Sequence, residues 1–192
     1  MDALESLREE LLKDHLPLQE EATHLVFGKG SSSASLLFIG EAPGKNEDLQ
    51  GIPFVGSAGK ELDTLLDSIG LSLDDVYIAN ILKYRPPENR NPNREEIRSH
   101  SPYLLKQIEI IKPKVIITLG NFATKFVLAG FQVDGMNHIQ GISQLHGQAI
   151  MMRVKDLSFV VIPLYHPAAM LYNGSLRKIL EEDFKKIREV LS

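Results

Sequence analysis

The chain has 192 residues, a net charge of −4 and no cysteine. This length predicts one domain over residues 1–192, and the balance of apolar and charged residues is typical of a globular protein. The composition excludes disulfides and cysteine-ligated clusters, and without an apolar run of membrane-spanning length or a secretion signal we expect a cytoplasmic protein with no membrane partner.

Four apolar runs predict buried strands, and helical patterns or glycine- and proline-rich loops follow them. In chain order the runs are 35–40, 76–82, 115–119 and 158–164. Leucines at helical spacing predict a first helix before Pro17, and later patterns predict helices over 60–70, about 91–111, 122–129 and about 175–190. Residues 131–157 predict a hairpin or an extended loop. The alternation predicts an α/β fold in three layers, α/β/α, around a four-stranded, mainly parallel sheet.

Polar and glycine-rich segments follow these strands, at the sheet edge where α/β proteins bind their ligands. The longest runs from Gly40 to Gly59, between the first strand and the second helix. Glycines allow backbone N–H groups to approach a ligand, and a helix start attracts anions. Asn80 ends the second strand, and His166 follows the last.

Several short motifs occur in order at these strand ends. They are Gly40-Glu41-Ala42-Pro43-Gly44, Glu47-Asp48, Pro53-Phe54-Val55-Gly56, Val76 to Asn80 leading into Lys83-Tyr84-Arg85-Pro86-Pro87-Glu88-Asn89-Arg90, and His166-Pro167. Taken together, the chain from about residue 26 to its end resembles the uracil-DNA glycosylase superfamily, and most closely the family-4 enzymes. The resemblance implies a uracil-DNA glycosylase-like fold and uracil-containing DNA as partner.

The chemistry of base excision suits Asn80. A glycosylase moves the base into a pocket and contacts its Watson–Crick edge. One amide donates to uracil O4 and accepts from uracil N3–H, whereas cytosine presents the opposite pair. The alternative for Asn80 is a residue that caps the strand end.

Phe54 and His166 complete the expected pocket. Phe54 is the candidate platform on which the base stacks, with a core phenylalanine as the alternative. His166 is the candidate donor to uracil O2, where negative charge develops as the bond breaks. Its alternative is a structural histidine.

The resemblance implies roles for the acids in the first motif. It assigns Glu41 to positioning the attacking water and Glu47 to excluding the thymine methyl group, and Asp48 is expected to cap the loop. For the DNA backbone we expect contacts from Ser57 and Gly59 at the helix start.

The loop after the second strand and the segment after His166 are further candidates for DNA contact. Lys83, Arg85 and Arg90 are expected to bind phosphates, unless they form only a solvated basic loop. Ala168, Met170 and Leu171 are expected either to enter the duplex or to cover the core.

The chain departs from the family at four positions. Family-4 members usually carry four cysteines that hold an iron–sulfur cluster, and here those positions correspond to Lys13, Leu16, Tyr84 and, approximately, His100. None supplies a thiolate, so we expect no cluster and no other cofactor, with Tyr84 and Leu16 filling the space. Ala168 follows His-Pro where some branches carry serine.

The sequence thus predicts a monofunctional, monomeric DNA-repair glycosylase that hydrolyses the N-glycosidic bond of uracil and leaves an abasic site. Three alternatives stay open. One is a glycosylase for hypoxanthine or xanthine, another is a DNA-binding relative without catalysis, and the third is an enzyme acting on small nucleotides.

Overall fold

The computed structural model of the protein describes residues 2–191. Six strands form one sheet, and every residue of the three five-residue inner strands is buried. In chain order the strands are β1 (Lys29–Gly30), β2 (Leu36–Gly40), β3 (Val76–Asn80), β4 (Val115–Leu119), β5 (Ile150–Val154) and β6 (Leu157–Leu164).

The spatial order of the strands is β1-β3-β2-β4-β6-β5. The four predicted strands form the parallel centre, while β1 and β5 pair antiparallel at the two edges. The predicted count of four strands is therefore wrong. Strand β1 has only two residues, too few for a hydropathy pattern. Strand β5 lies within residues 131–157, for which a hairpin or an extended loop is predicted, and it forms a hairpin with the following strand β6.

Eight α-helices surround this sheet in the described part of the chain. They are α1 (Ala3–Lys13), α2 (Lys45–Gln50), α3 (Ser57–Ser68), α4 (Arg94–Ile111), α5 (Asn121–Leu128), α6 (Ile142–Leu145), α7 (Ala169–Tyr172) and α8 (Ser175–Leu191). Two 3₁₀ turns lie at Pro87–Asn89 and Val133–His138.

The helices cover both faces of the sheet, which confirms the three-layer prediction. On one face the apolar residues of α1, α4 and α5 pack with Leu37, Ile39 and Ala79. On the other, α3 and α8 pack with Phe38 and Ile78. Neighbouring strand residues point to opposite faces, so each central strand contributes to both cores.

The strand register brings the polar strand ends together. Gly40 at the end of β2 pairs with Asn80 at the end of β3, and Leu119 pairs with Leu164 on the other side of the sheet centre. His166 therefore lies on the same sheet edge as Asn80. A Cβ atom on Gly120, whose φ is +88°, would lie 3.2 Å from the Cβ of His166, so glycine permits this close approach.

Candidate active site

A cavity of about 410 Å³ opens at the carboxyl ends of the parallel strands. Its volume suits a small ligand such as a single base. The residues that line it include Glu47, Phe54, Ser57, Asn80, His166 and Ala168. Four of the five candidates for base binding and catalysis are thus brought to one cavity from three separate parts of the chain: Glu47, Phe54, Asn80 and His166.

Asn80 forms a buried polar spot on the cavity wall. The residue is 2% exposed, and none of residues 2–191 forms a hydrogen bond with its side-chain amide. A Cβ atom on Gly40 would lie 2.3 Å from Asn80 Oδ1 and 2.9 Å from the Phe54 ring. Because Gly40 has no side chain, the Asn80 amide and the Phe54 ring have room to lie side by side.

Phe54 has an uncommon backbone conformation, with a φ of 52°. Its carbonyl accepts a hydrogen bond from Lys29 Nζ at 2.9 Å. The same carbonyl packs on Gly59, where an added Cβ atom would lie 2.0 Å from the oxygen. Two neighbours thus hold the backbone in a conformation that costs about 1–3 kcal/mol.

The side chain of His166 is neutral and has a defined tautomer. The Ala168 amide donates to His166 Nδ1 at 3.1 Å, so the ring proton is on Nε2. Burial lowers the pKa of His166 to about 4, against a smaller opposing effect of the nearby Glu47 carboxylate. The ring lies 5.7 Å from the Phe54 ring at 26°. This geometry provides an N–H donor without a positive charge.

The two glutamates are in different settings. Glu47 lines the cavity, and its Oε1 accepts the Gly56 amide at 3.2 Å, which fixes the carboxylate. Glu41 is half-buried next to the cavity rather than among its lining residues, and burial raises the pKa of its carboxyl group. A raised pKa makes the ionised Glu41 carboxylate a stronger base.

Asp48 has the capping role expected for it. The residue is 5% exposed, and its Oδ1 accepts the amides of Thr23 and His24 at 2.8 and 3.3 Å. It therefore ties the loop before β1 to α2.

Helix α3 begins at the cavity, with Ser57 as its first residue. Ser57 is exposed and lines the cavity, whereas Gly59 is buried against Phe54 and outside the lining. Packing against the Phe54 carbonyl explains the glycine at 59, and its expected contact with a DNA phosphate has no support in this placement.

The prediction that Lys83 contacts DNA is wrong. Its side chain is fully buried, and its ammonium group donates to the Asn80 carbonyl and to Gln107 Oε1 at 2.8 and 2.6 Å. A phosphate on the surface is out of its reach. The surrounding core, which comes from distant parts of the sequence, accounts for the difference.

The two arginines of the same loop lie at the surface. Arg85 Nε donates to Asn89 Oδ1 at 2.7 Å, and Asn89 lines the cavity, so this guanidinium group lies near the cavity mouth. Arg90 forms two hydrogen bonds with Glu96, whose side chain is 4% exposed. Because Glu96 holds Arg90, only the part of the guanidinium group that stays exposed is open to a phosphate.

The four positions that usually hold the cluster in family-4 members do not fit a metal cluster here. Tyr84 is buried, Leu16 packs on the same apolar core, and Lys13 is exposed. His100 is fully buried with both ring nitrogens in hydrogen bonds, to the Lys83 amide and to the Pro17 carbonyl. The chain contains no thiolate, and the imidazole has no free nitrogen for a metal.

The segment after His166 divides between core and surface. Met170 is 5% exposed and belongs to the core, which agrees with the second of the two alternatives given for it. Leu171 and Tyr172 are 46% and 90% exposed at the end of α7, and Ala168 lines the cavity. The exposed aromatic side chain of Tyr172, four residues after Ala168 in the chain, is a feature that the sequence analysis missed.

Lys29 and Asn89 are two further residues that sequence reasoning missed. Lys29 binds Phe54 across 25 residues of sequence, and nothing near Lys29 in the sequence indicates that pairing. Asn89 follows two prolines and has a φ of 55°, a conformation that asparagine adopts more readily than most residues. That preference was the only available signal.

Within residues 2–191, no helix combines the length and the apolar character that crossing a bilayer requires. In the same range, no three histidine, aspartate or glutamate side chains converge as metal ligands.

Comparison with known proteins gives consistent matches. The model of the uracil DNA glycosylase superfamily matches residues 27–192. A type-4 uracil-DNA glycosylase of Sulfurisphaera tokodaii is 48% identical over 192 residues, which cover 99% of this chain and 86% of the relative. The type-4 enzymes of Saccharolobus solfataricus and Archaeoglobus fulgidus are 44% and 43% identical, over 100% and 99% of this chain and 88% and 94% of the relatives.

Proposed function

This chain belongs to the uracil-DNA glycosylase superfamily, and on that basis we propose that it excises uracil from DNA. The reaction hydrolyses the N-glycosidic bond and leaves an abasic site and the free base. The observation that carries the proposal is the Asn80 amide, which is 2% exposed, faces the cavity and has no hydrogen-bond partner within residues 2–191. The polar atoms of this amide are open to the cavity, so they are available to a ligand with one donor and one acceptor, as on the edge of uracil.

The cavity geometry supports a stacking and charge-stabilising role for two side chains. Uracil stacks on the Phe54 ring while Asn80 bonds its O4 and N3–H. His166 Nε2–H donates to O2, which gains negative charge as the bond between N1 and C1′ breaks. The neutral imidazole can act in this step because its tautomer keeps the proton on Nε2, where it can donate to O2.

The carboxylates act on the sugar and on base selection. Glu41 accepts a proton from the water that attacks C1′, so the oxygen remains on the sugar and uracil leaves with the bonding electron pair. The raised pKa of the Glu41 carboxyl supports this role as base. Glu47, fixed by the Gly56 amide, occupies the side of the cavity where a thymine methyl group would collide.

Contacts with the DNA backbone come from the cavity rim. Ser57 at the start of α3 and Arg85 near Asn89 bind phosphates, with a smaller share from Arg90. Leu171 and Tyr172 enter the duplex at the position that the base leaves, and their exposure of 46% and 90% supports this. The proposal also includes a single domain over residues 1–192, a monomer, a cytoplasmic location and no cofactor.

The test uses labelled oligonucleotides with one uracil, hypoxanthine or xanthine, single- and double-stranded, followed by alkaline cleavage of abasic sites. We expect scission at uracil. Scission only at hypoxanthine or xanthine would change the substrate, and DNA binding without any scission would indicate a non-catalytic relative.

Variants then test the site. Asn80→Ala and His166→Ala should strongly slow excision, whereas Asn137→Ala and His138→Ala should keep the wild-type rate. The control pair removes the same residue types from exposed positions outside the cavity. Full activity of both cavity variants would refute the site.

A further inference from the structure

Lys83 is a charged side chain that is 0% exposed, although a buried lysine is costly and rare. Every polar group of the residue has a partner inside the protein. Its carbonyl accepts the Val26 amide at 2.9 Å, its amide donates to His100 Nδ1 at 2.9 Å, and its ammonium group has the two acceptors described above. Such complete pairing indicates a structural task at this point of the fold.

One acceptor of the ammonium group is the backbone of the base-contacting residue itself. The amide of Ile81 donates to Gly40 on strand β2, so the preceding carbonyl, that of Asn80, points away from β2. The ladder between β1 and β3 ends at Ile78 and therefore supplies no partner for this carbonyl. Lys83 Nζ, at 2.8 Å, takes the place of the missing ladder bond.

The chain of hydrogen bonds continues to the segment after α1. Because the Lys83 amide donates to His100 Nδ1, the imidazole proton is on Nε2, which donates to the Pro17 carbonyl at 2.9 Å. The Tyr84 ring meets His100 edge-on at 6.1 Å. His100 and Tyr84 are two of the positions that thiolates of a cluster usually hold in this family, so this chain connects the same segments without a metal.

We propose that Lys83 and His100 form a brace that positions Asn80 for contact with the base. The inference rests on the proposed excision of uracil and deepens it, since neither residue touches the base. The brace fixes the end of β3, and Asn80 Oδ1 keeps its place beside the Phe54 ring. Both are positioning residues, and they act on the reaction only through Asn80.

The number of donors on Lys83 agrees with this role. Burial lowers the pKa of Lys83 to about 7. A neutral amine keeps two N–H donors, and the structure offers two acceptors, the Asn80 carbonyl and Gln107 Oε1. The brace therefore persists whether or not the amine carries its third proton.

The first test is a double-mutant cycle with Lys83→Met and Asn80→Ala, measured as single-turnover excision of uracil. We expect Lys83→Met alone to slow excision roughly 10- to 100-fold, the scale of a misplaced reactive group. In the Asn80→Ala background the same change should have little further effect, because the two act as one unit. Equal losses in both backgrounds would overturn the proposal.

Two measurements separate positioning from general damage. Affinity for a duplex with an abasic site should stay unchanged in Lys83→Met, since phosphate contacts do not pass through Asn80, and a parallel loss would overturn the proposal. The matched control is Lys106→Met, which removes an exposed lysine next to Gln107 on α4 and should excise uracil at the wild-type rate.

Amide hydrogen exchange tests the brace independently of catalytic activity. Lys83→Met should speed amide exchange at Ile81 and Leu82, which continue the pairing of β3 with β2. Unchanged protection would overturn the brace. If the wild-type protein failed to excise uracil, the proposed function would fall, while this measurement would still decide whether Lys83 holds the strand end.

A second pair of variants covers the case in which Lys83→Met does not fold. His100→Gln keeps one acceptor and one donor on the side chain, whereas His100→Leu removes both. We expect the glutamine variant to retain excision and the leucine variant to lose it, again without effect in the Asn80→Ala background. Equal activity of the two variants would overturn the role of His100.

Discussion

The contact of Asn80 with the base is best tested by Asn80→Asp, which changes one atom type and almost no volume. The wild-type amide donates to uracil O4 and accepts from N3–H. The carboxylate still accepts from N3–H but places an oxygen against O4. Cytosine carries an amino group at that position, so the same carboxylate gains a partner there.

The magnitude follows from burial of the site. Leaving a buried acceptor unpaired costs about 1–3 kcal/mol. This corresponds to a rate loss of about 5- to 150-fold if the bond persists in the transition state. Asn80 is 2% exposed and a bound base occupies the cavity beside it, so water does not replace the lost donor and we expect the upper part of this range. The rate on cytosine should rise while the rate on uracil falls. The ratio of the uracil rate to the cytosine rate should therefore fall by more than either rate changes alone.

The assay is single-turnover release of each base from matched duplexes, with enzyme in excess so that binding does not limit the rate. Asn121→Asp is the control, because Asn121 also follows a strand but lies outside the cavity, where its Oδ1 accepts the Ile142 amide. An aspartate keeps that acceptor, so the control should behave as wild type. A wild-type rate on uracil in Asn80→Asp, or an unchanged ratio of uracil to cytosine, would refute the reasoning.

Three further predictions concern residues around the site. His166→Leu should slow excision roughly 10²–10³-fold in single turnover. Because the pKa of His166 is about 4, the wild-type rate should keep this contribution down to about pH 5. Gly59→Ala should lower the free energy of unfolding by about 1–3 kcal/mol in urea titrations, because its methyl group collides with the Phe54 carbonyl. Gly174→Ala, with open space at its Cα, should not, and equal values for the two would contradict the packing. Burial lowers the pKa of His100 from about 6.5 in the unfolded chain to about 4 in the folded protein, so stability is lost as the pH falls through this window. His100→Gln should remove about 2 kcal/mol of the stability difference between about pH 7 and about pH 5, measured by denaturation at both values.

The sequence was sufficient to locate the strand ends and the polar residues on them. Parallel strands share a direction, so Asn80 and His166, each at or just after a strand end, must lie on one edge of the sheet. Buried inner strands are continuous apolar runs, which hydropathy detects without reference to neighbours. Strand β1 was not predicted because its two residues, Lys29 and Gly30, form no apolar run.

Contacts between distant segments account for what the sequence did not reveal. A lysine in a basic, proline-rich loop predicts exposure, but Lys83 is buried because Gln107, 24 residues away, offers an acceptor at the required depth. Lys29 is likewise tied to Phe54 by a bond that spans 25 residues. Such pairings depend on the packed arrangement of elements, which local composition does not encode.

The loop after β3 divides its cations between two tasks, and its position explains the division. Lys83 and Tyr84 directly follow Ile81 and Leu82, and helix α4 covers them, so the polar groups of Lys83 have their partners inside the protein. Arg85 is the first residue of the loop to reach solvent, and Arg90 is held by Glu96 at the start of α4. Lys83, the cation nearest to Asn80 in the chain, therefore supports the base-contacting residue from inside the protein. Contact with phosphate begins two residues later, at Arg85. In this arrangement the pocket and the DNA-facing surface share a loop but do not share side chains.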